Sequence, residues 1–354
     1  MGVRLAKNTD VIIEGQYLRD ILDQPQALAA TLAQLEVPKE LSDIGGRLRD
    51  GTIKRIVLTG MGASFYALHP LFLRLNGCGY NAFAVETAEL IHSLECWLNP
   101  ETLIVAVSQS GQSAEVVRLI EENRGRATIV GVTNAAGSPL ALRAQASMLT
   151  MAGKEFSVSC KTYVTALMAL HLLGDRLCGC DGSQTREELA QAEPAVACYL
   201  GRWRDHISEV TAALRQVRHL FLLGRGASLA ACGEGALIVK ESVRLHAEGM
   251  SGAAFRHGPL EMVNGETFAV VFAGARATRG LQAKLADDIR EAGGKTGWIA
   301  ADAGLGAWKL PETLPGLRPM LEILPVQMMT LALAAEAGIE AGRFARIPKI
   351  TMVE

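Results

Sequence analysis

The sequence predicts an α/β protein in which two similar domains, each a parallel sheet flanked by helices, follow an N-terminal helical segment. Short runs rich in β-branched residues alternate with helical segments, and this alternation is typical of a parallel sheet covered on both faces. The first four runs span 54–60, 82–88, 102–108 and 128–134. The pattern then occurs a second time, because 219–228 resembles 55–64 and further strands follow at 267–275 and 296–304. A strand–helix unit that repeats in the same order predicts two related domains.

The remaining segments complete the predicted organisation. Apolar residues at spacings of three and four make the N-terminal part helical, and Pro25 divides it into two helices. The apolar stretch 322–338 predicts a helix that closes the second domain, and we expect a linker within 180–205. The predicted boundaries are 1–42 for the helical segment, 43–190 and 200–340 for the two domains, and 341–354 for a C-terminal tail.

Composition and charge exclude several classes of protein. The 354 residues include 35 Lys and Arg against 37 Asp and Glu, and this balance argues against a partner that is a nucleic acid. Apolar runs fall short of the roughly 20 residues that a membrane span needs, so no membrane partner is expected. The N-terminus shows no secretory signal and the seven cysteines are scattered, which predicts a cytoplasmic protein with reduced thiols.

No cofactor or metal is expected. Cys178 and Cys180 form the one close cysteine pair, and His246 with Glu248 lacks companion ligands at useful spacing. The turns GMGAS and GRGAS do not complete a dinucleotide fingerprint, and tight strand-to-helix turns capped by Ser64 and Ser228 are the preferred interpretation.

The strongest local signal is the segment SQSGQS at 108–113. A buried strand ends at Ser108, and Ser113 stands where it would cap the following helix. Free N–H groups at a helix start form an anion site, and Ser108, Gln109 and Ser110 add polar side chains while Gly111 allows close approach. An ordinary serine-capped turn is the alternative. The corresponding place in the second repeat, AGARATR, lacks the serines, so we expect one phosphate site per chain, in the first domain.

Three further sites carry candidates for chemistry, each with a simpler alternative. Glu234 and Glu241 share one face of a predicted helix, where a solvated face is the alternative. His257 stands in a polar loop and is a general acid–base candidate, although a lone histidine is often structural. Lys349 lies in the tail, where most lysines are simply solvated.

Taken together, these motifs resemble a known family. The chain resembles tandem SIS (sugar isomerase) proteins over about residues 45–354, and is similar to the isomerase half of glucosamine-6-phosphate synthase and to stand-alone amino-sugar-phosphate deaminases. The resemblance rests on GMGAS, SQSGQS, NAAGSPLA, AGKEFSVS, GRGAS, EGALIVKES, HAE, RHGPLEM and PKITMVE, in that order.

The resemblance implies a role for each candidate residue. Glu241 would move a proton between C1 and C2, His257 would open the sugar ring from the neighbouring subunit of a homodimer, and Lys349 would form a Schiff base with a ketose. A sugar 6-phosphate would be held by Ser64, Ser108, Gln109, Ser110, Ser113, Val158 and Glu234.

Departures from the family pattern limit what the resemblance implies. The chain has no room for an N-terminal glutaminase domain, so glutamine-dependent synthesis is not expected. Ile238 replaces a lysine common in synthase and deaminase, Ala63 replaces a threonine, and Lys161 does not fall in the usual order of its segment. The expected function is therefore isomerisation and deamination of an amino-sugar 6-phosphate. A fructosamine-6-phosphate deglycase and a non-catalytic phosphosugar-binding regulator are the alternatives.

Overall fold

The structure contains two parallel β-sheets. It is a computed structural model that describes residues 13–304, 306–346 and 348–351. The first sheet has the order β2-β1-β3-β4-β5 and the second the order β7-β6-β8-β9, and every pairing is parallel. The strands are β1 Arg55–Gly60, β2 Ala82–Glu86, β3 Thr102–Val107, β4 Thr128–Thr133, β5 Ala146–Leu149, β6 His219–Gly224, β7 Ala247–Ser251, β8 Thr267–Phe272 and β9 Lys295–Ile299.

Helices cover both faces of the sheets, as the sequence predicts. They are α1 Gln16–Leu22, α2 Gln24–Gln34, α3 Glu40–Arg49, α4 Ala63–Ala67, α5 His69–Gly77, α6 Thr87–His92, α7 Ala114–Asn123, α8 Pro139–Arg143, α9 Lys161–Leu177, α10 Ser183–Leu189, α11 Ala192–Leu200, α12 Trp203–Ala213, α13 Leu229–Val243, α14 Gly252–Arg256, α15 Arg276–Glu291 and α16 Arg318–Glu336.

Three segments differ from the expectation. The segment 180–205, where a linker is expected, is instead helical, because α10, α11 and the start of α12 occupy it. Pro194 lies in the first turn of α11, where a missing N–H breaks no helical hydrogen bond. The short edge strands β5 and β7 were not predicted, since edge strands are less buried and β7 contains a glycine and a glutamate.

One buried hydrophobic cluster joins residues of both sheets with residues of the long helices α9, α13 and α16. Helices α9 and α16 are almost wholly buried, and α16 packs against α13. By length and composition the stretch Pro315–Glu336 could cross a membrane, but 94% of its apolar window is buried inside the protein, as expected for the central helix of a packed core. A hydrogen bond of 2.9 Å from Gln24 Nε2 to Gln327 Oε1 ties α2 to α16.

A buried serine–glutamate contact stands where a helix cap was expected. Ser228 occupies the N-cap position of α13, but its hydroxyl donates to Glu322 Oε1 at 2.8 Å instead of capping the helix. The Glu322 carboxyl lies inside the core and its Oε2 has no hydrogen-bond partner within the described residues. Burial raises the pKa of Glu322 to about 7.

Replacing Glu322 with glutamine is expected to stabilise the protein at alkaline pH. A carboxyl whose folded-state pKa lies above its unfolded value contributes stability below the unfolded pKa, and that contribution is lost as the pH rises through 7. The variant E322Q should therefore gain about 3 kcal/mol of unfolding free energy at pH 8.5 and little at pH 4.5. Urea unfolding at both pH values measures this, with E336Q at the exposed end of the same helix as the control. An equal change at both pH values would show that ionisation of Glu322 is not responsible.

Candidate active site

The loop after β3 meets the turn after β1 at one edge of the first sheet. Strands β1 and β3 are neighbours, with Thr59 opposite Ala106, so the segments that follow them lie side by side. The β1 turn carries Gly62, whose φ of 52° belongs to the left-handed region, and leads into α4 with Ser64 in its first turn. Ser64 is therefore inside the helix, and the predicted capping role for it is wrong.

The serine loop 108–113 is held in shape by its own hydrogen bonds. The N–H of Gly111 donates to Ser108 Oγ at 3.1 Å, and the N–H of Gln112 donates to Ser110 Oγ at 3.3 Å. Ser113 is the N-cap residue of α7, as predicted, and its hydroxyl makes no capping bond. The hydroxyl of Ser113 is thus available to a ligand, beside the positive end of a ten-residue helix.

The C-terminal tail closes over this loop. The N–H of Ala114, at the start of α7, donates to the Thr351 carbonyl at 3.1 Å, and the N–H of Gly342 donates to the Ser242 carbonyl at 3.3 Å. The tail therefore bridges the first helix turn of one domain and the end of α13 in the other.

A cavity of about 230 Å³ lies beneath the tail. Serine side chains line it together with the carboxylate of Glu241 on α13 and the amine of Lys349 in the tail. Its lining includes Ser64, Ser108, Gln109, Ser110, Ser113, Ser157, Ser159, Leu237, Glu241, Phe344 and Lys349. The structure thus brings together seven of the predicted site residues, which come from segments up to 285 residues apart in the chain (64 to 349).

Glu241 is the carboxylate of this cavity. Burial raises the pKa of Glu241 to about 7; the nearby Lys349 cation opposes that rise and the Glu155 carboxylate adds to it. A carboxyl whose pKa lies near 7 can both accept and return a proton at neutral pH. The alternative of a solvated helix face is therefore wrong for Glu241.

Lys349 is fixed by a buried acceptor that the sequence did not single out. Its Nζ donates to Glu155 Oε2 at 3.0 Å. The Glu155 side chain is fully buried and accepts further hydrogen bonds from Cys160 N, Thr162 N and Thr162 Oγ1 at 2.9, 3.1 and 2.6 Å. Glu155 belongs to the quoted motif AGKEFSVS, but no local pattern in that motif marks this glutamate as a partner of Lys349.

Three predicted residues do not line the cavity. Glu234 lies on α13 about two helical turns before Glu241. It is fully buried, and both of its carboxylate oxygens lack partners within the described residues. Burial, with Glu241 and Glu155 nearby, raises the pKa of Glu234 well above its usual range. Val158 is a core side chain between Ser157 and Ser159, and its substrate contact stays a prediction. His257 is exposed at the end of α14, outside this chain's cavity.

Two departures from the family pattern also lie outside the cavity lining. Ile238 is a fully buried core residue. Lys161 forms ion pairs of 3.3 Å with Asp20 and 2.8 Å with Asp23, so this lysine fastens α9 to the N-terminal helices. Within residues 13–304, 306–346 and 348–351, no group of three or more His, Cys, Asp or Glu is placed to hold a metal ion.

The two repeats correspond to a known domain. Residues 52–175 and 213–337 each match the SIS domain. The chain belongs to the SIS domain family. The first match contains the serine loop and the second contains Glu241, whereas the tail with Lys349 follows both.

Similar proteins cover most of this SIS chain. It is 29% identical over 358 residues to glutamine–fructose-6-phosphate aminotransferase [isomerizing] of Pyrococcus horikoshii, a match that spans 95% of the chain but 57% of the relative. The C-terminal domain of glucosamine-fructose-6-phosphate aminotransferase from Francisella tularensis superposes with a TM-score of 0.82 at 20% identity, covering 93% of this chain and 98% of the other. Glucosamine-6-phosphate deaminase from Thermotoga maritima has a TM-score of 0.76 at 17% identity, with coverages of 96% and 100%. At these identities the two structures show the shared fold.

Replacing Gly111 with alanine is expected to destroy the serine loop. Gly111 has a φ of 61°, and a Cβ there would overlap the Ser138 hydroxyl and lie 2.9 Å from Thr133 Oγ1. The G111A variant should lose about 1 to 3 kcal/mol of stability and at least tenfold in phosphosugar affinity, measured by urea unfolding and calorimetric titration. Gly125 has a φ of 74° and open space where a Cβ would stand, so G125A is the matched control for backbone strain. Equal affinities in the two variants would contradict the loop's role.

Proposed function

We propose that this SIS protein moves a proton between C1 and C2 of a hexose 6-phosphate and couples that isomerisation to loss of an amine from an amino-sugar phosphate. The observation that carries the proposal is the position of Glu241, a carboxyl with a pKa of about 7, in one cavity with the serine loop and Lys349.

The serine loop would anchor the phosphate. The serine hydroxyls of the loop lie beside the positive end of the α7 dipole and suit a dianion. Holding C6 through its phosphate would fix the far end of an open-chain sugar against Glu241, and such positioning supplies much of the rate of a proton transfer.

Glu241 and Lys349 would share the chemistry. In an open-chain 2-amino-aldose, Glu241 removes the proton from C2 and returns it to C1, which converts the aldehyde and amine into a C2 imine. Water then adds to that imine and ammonia leaves, so that the ketose 6-phosphate is the product. The Lys349 amine would polarise the carbonyl or condense with the ketose form.

We further propose that the working unit is a homodimer in which His257 of one subunit helps to open the sugar ring in the other. His257 is exposed and does not line its own chain's cavity, which fits a role across an interface. All seven cysteines are free thiols, and this supports a reducing, cytoplasmic location.

Ligand-induced thermal stabilisation is the first test. Glucosamine, galactosamine, glucose and fructose 6-phosphates are each added to the protein, and ammonia release and aldose–ketose conversion are assayed in parallel. A ligand present at 100 times its Kd adds about 2.7 kcal/mol of stability. Stabilisation with turnover supports the proposal. Stabilisation by a phosphosugar without turnover of any of the four favours the regulator, and no stabilisation by any 6-phosphosugar contradicts a phosphate site at the serine loop.

A further inference from the structure

Two cysteine side chains meet where helices α5 and α9 end. Cys78 directly follows α5 and Cys178 directly follows α9, so each is the C-cap residue of its helix. The thiol of Cys178 donates to Cys78 Sγ at 3.0 Å, although 100 residues separate the two along the chain. Neither cysteine lines the cavity beneath the tail, so these two thiols are not part of the proposed sugar-phosphate site.

Other contacts hold the same two helix ends together. On α5, Arg74 forms an ion pair with Asp175 and donates from its guanidinium to the His171 carbonyl at 3.2 Å. Beyond α5, the Tyr80 hydroxyl donates to the Leu177 carbonyl at 3.2 Å. The fold therefore positions both sulfur atoms. A disulfide bond of about 2.0 Å requires them to approach each other by only about 1 Å.

The two thiols differ in exposure. Cys78 is exposed, whereas Cys178 is half-buried behind it. Burial, followed by the hydrogen bond with Cys78, raises the pKa of Cys178 to about 12. Because a cysteine reacts with oxidants as its thiolate, Cys178 is not the group that reacts first. An exposed thiol next to a second, protected thiol is the arrangement of a redox-sensitive pair.

We propose that Cys78 and Cys178 form an oxidative modification site, at which a peroxide converts the two thiols into a reversible disulfide within one chain. This inference goes beyond the proposed function and does not depend on it. Disulfides that form in a reducing compartment are usually transient and respond to oxidants. This disulfide would join α5 to α9 across a separation of 100 residues. Such a link restricts the unfolded chain and thereby stabilises the fold.

The reaction balances with one hydrogen peroxide as the oxidant. The Cys78 thiol loses its proton to solvent, and the thiolate attacks one peroxide oxygen, which breaks the O–O bond and gives a sulfenic acid and hydroxide. That hydroxide takes up the released proton. The Cys178 sulfur then attacks the Cys78 sulfur, the S–O bond breaks, and the Cys178 proton leaves with this hydroxide as water. Two thiols and one peroxide give one disulfide and two waters.

The test treats the reduced full chain with hydrogen peroxide. Free thiols are counted in denaturant, and peptide mapping identifies the linked cysteines. We expect two of the seven thiols to disappear, Cys78 and Cys178 to be joined within one chain, and dithiothreitol to restore both. The oxidised chain should melt at a Tm about 5 °C higher, the shift expected for a link across a loop of this length in a chain of this size.

Cysteine-to-serine variants separate this pairing from general oxidation. C78S and C178S should form no such link and show no rise in Tm after treatment. C180S removes the exposed neighbour of Cys178, C96S removes an exposed cysteine of another segment, and both should behave as the wild type does. A link of Cys78 to Cys180, a link between chains, or equal loss of thiol at every exposed cysteine overturns the proposal. A link between Cys78 and Cys178 that leaves the Tm unchanged overturns its stabilising role.

Discussion

Replacement of Glu241 with glutamine is expected to lower kcat by about 10²- to 10⁴-fold, the range for loss of a general acid–base group. The amide keeps the size of the side chain and cannot take a proton from C1 or C2. Glu241 lies on α13 and is not part of the serine loop that would hold the phosphate, so the phosphosugar should still bind and stabilise E241Q. The measurement pairs kcat with the ligand-induced thermal shift, and E291Q at the exposed end of α15 is the control. Wild-type turnover by E241Q would remove Glu241 from the mechanism.

The pH profile of the wild-type protein tests the same group in another way. The pKa of Glu241 is about 7, and its proton-accepting form is the ionised one. We therefore expect kcat/KM to rise with pH through about 7 and to level off above it. Because the Lys349 cation lowers the pKa of Glu241, removal of that charge should move the midpoint to higher pH.

The sequence pattern predicted the central strands of both sheets because buried parallel strands form continuous apolar runs. Strands β1, β3, β4, β6 and β8 are wholly or mainly buried, so their residues form continuous apolar runs. Edge strand β7 has a single buried residue, Ala247, and offers no such run. The helices in 180–205 were missed because a proline and a polar composition there also fit a linker.

The candidate site was predicted in part for a different reason. The serine loop and Glu241 occur in short local motifs, whereas their meeting with Lys349 depends on how the tail folds back across both domains. Glu155 had no local pattern, because its role comes from hydrogen bonds to Thr162 and Lys349 that form only in the folded chain. Periodicity also cannot separate Glu234 from Glu241, which share a helix face and differ in whether they reach the cavity.

The second large effect is expected at Lys349, where two substitutions separate charge from nucleophilicity. K349M removes both and should lower kcat by about 10²- to 10³-fold, the cost of losing an electrostatic stabiliser. K349R keeps a cation beside Glu155 but has no amine that can condense with a carbonyl. If Lys349 forms a Schiff base, K349R should be as slow as K349M. Borohydride, which reduces the C=N bond, should then fix a ketose on the wild-type chain and not on either variant.

The stability of the two Lys349 variants tests whether this residue also stabilises the fold through its contact with Glu155. Glu155 is fully buried and keeps hydrogen bonds from Cys160 and Thr162 when the lysine is removed, so K349M should lose about 1 to 3 kcal/mol of unfolding free energy. K349R should lose less, since its guanidinium can donate to the same oxygen. A K349R protein that is as stable and as active as wild type would mean that Lys349 only fastens the tail to Glu155. Within the described lining of the cavity beneath the tail, Glu241 would then be the one titratable side chain left to move the proton between C1 and C2.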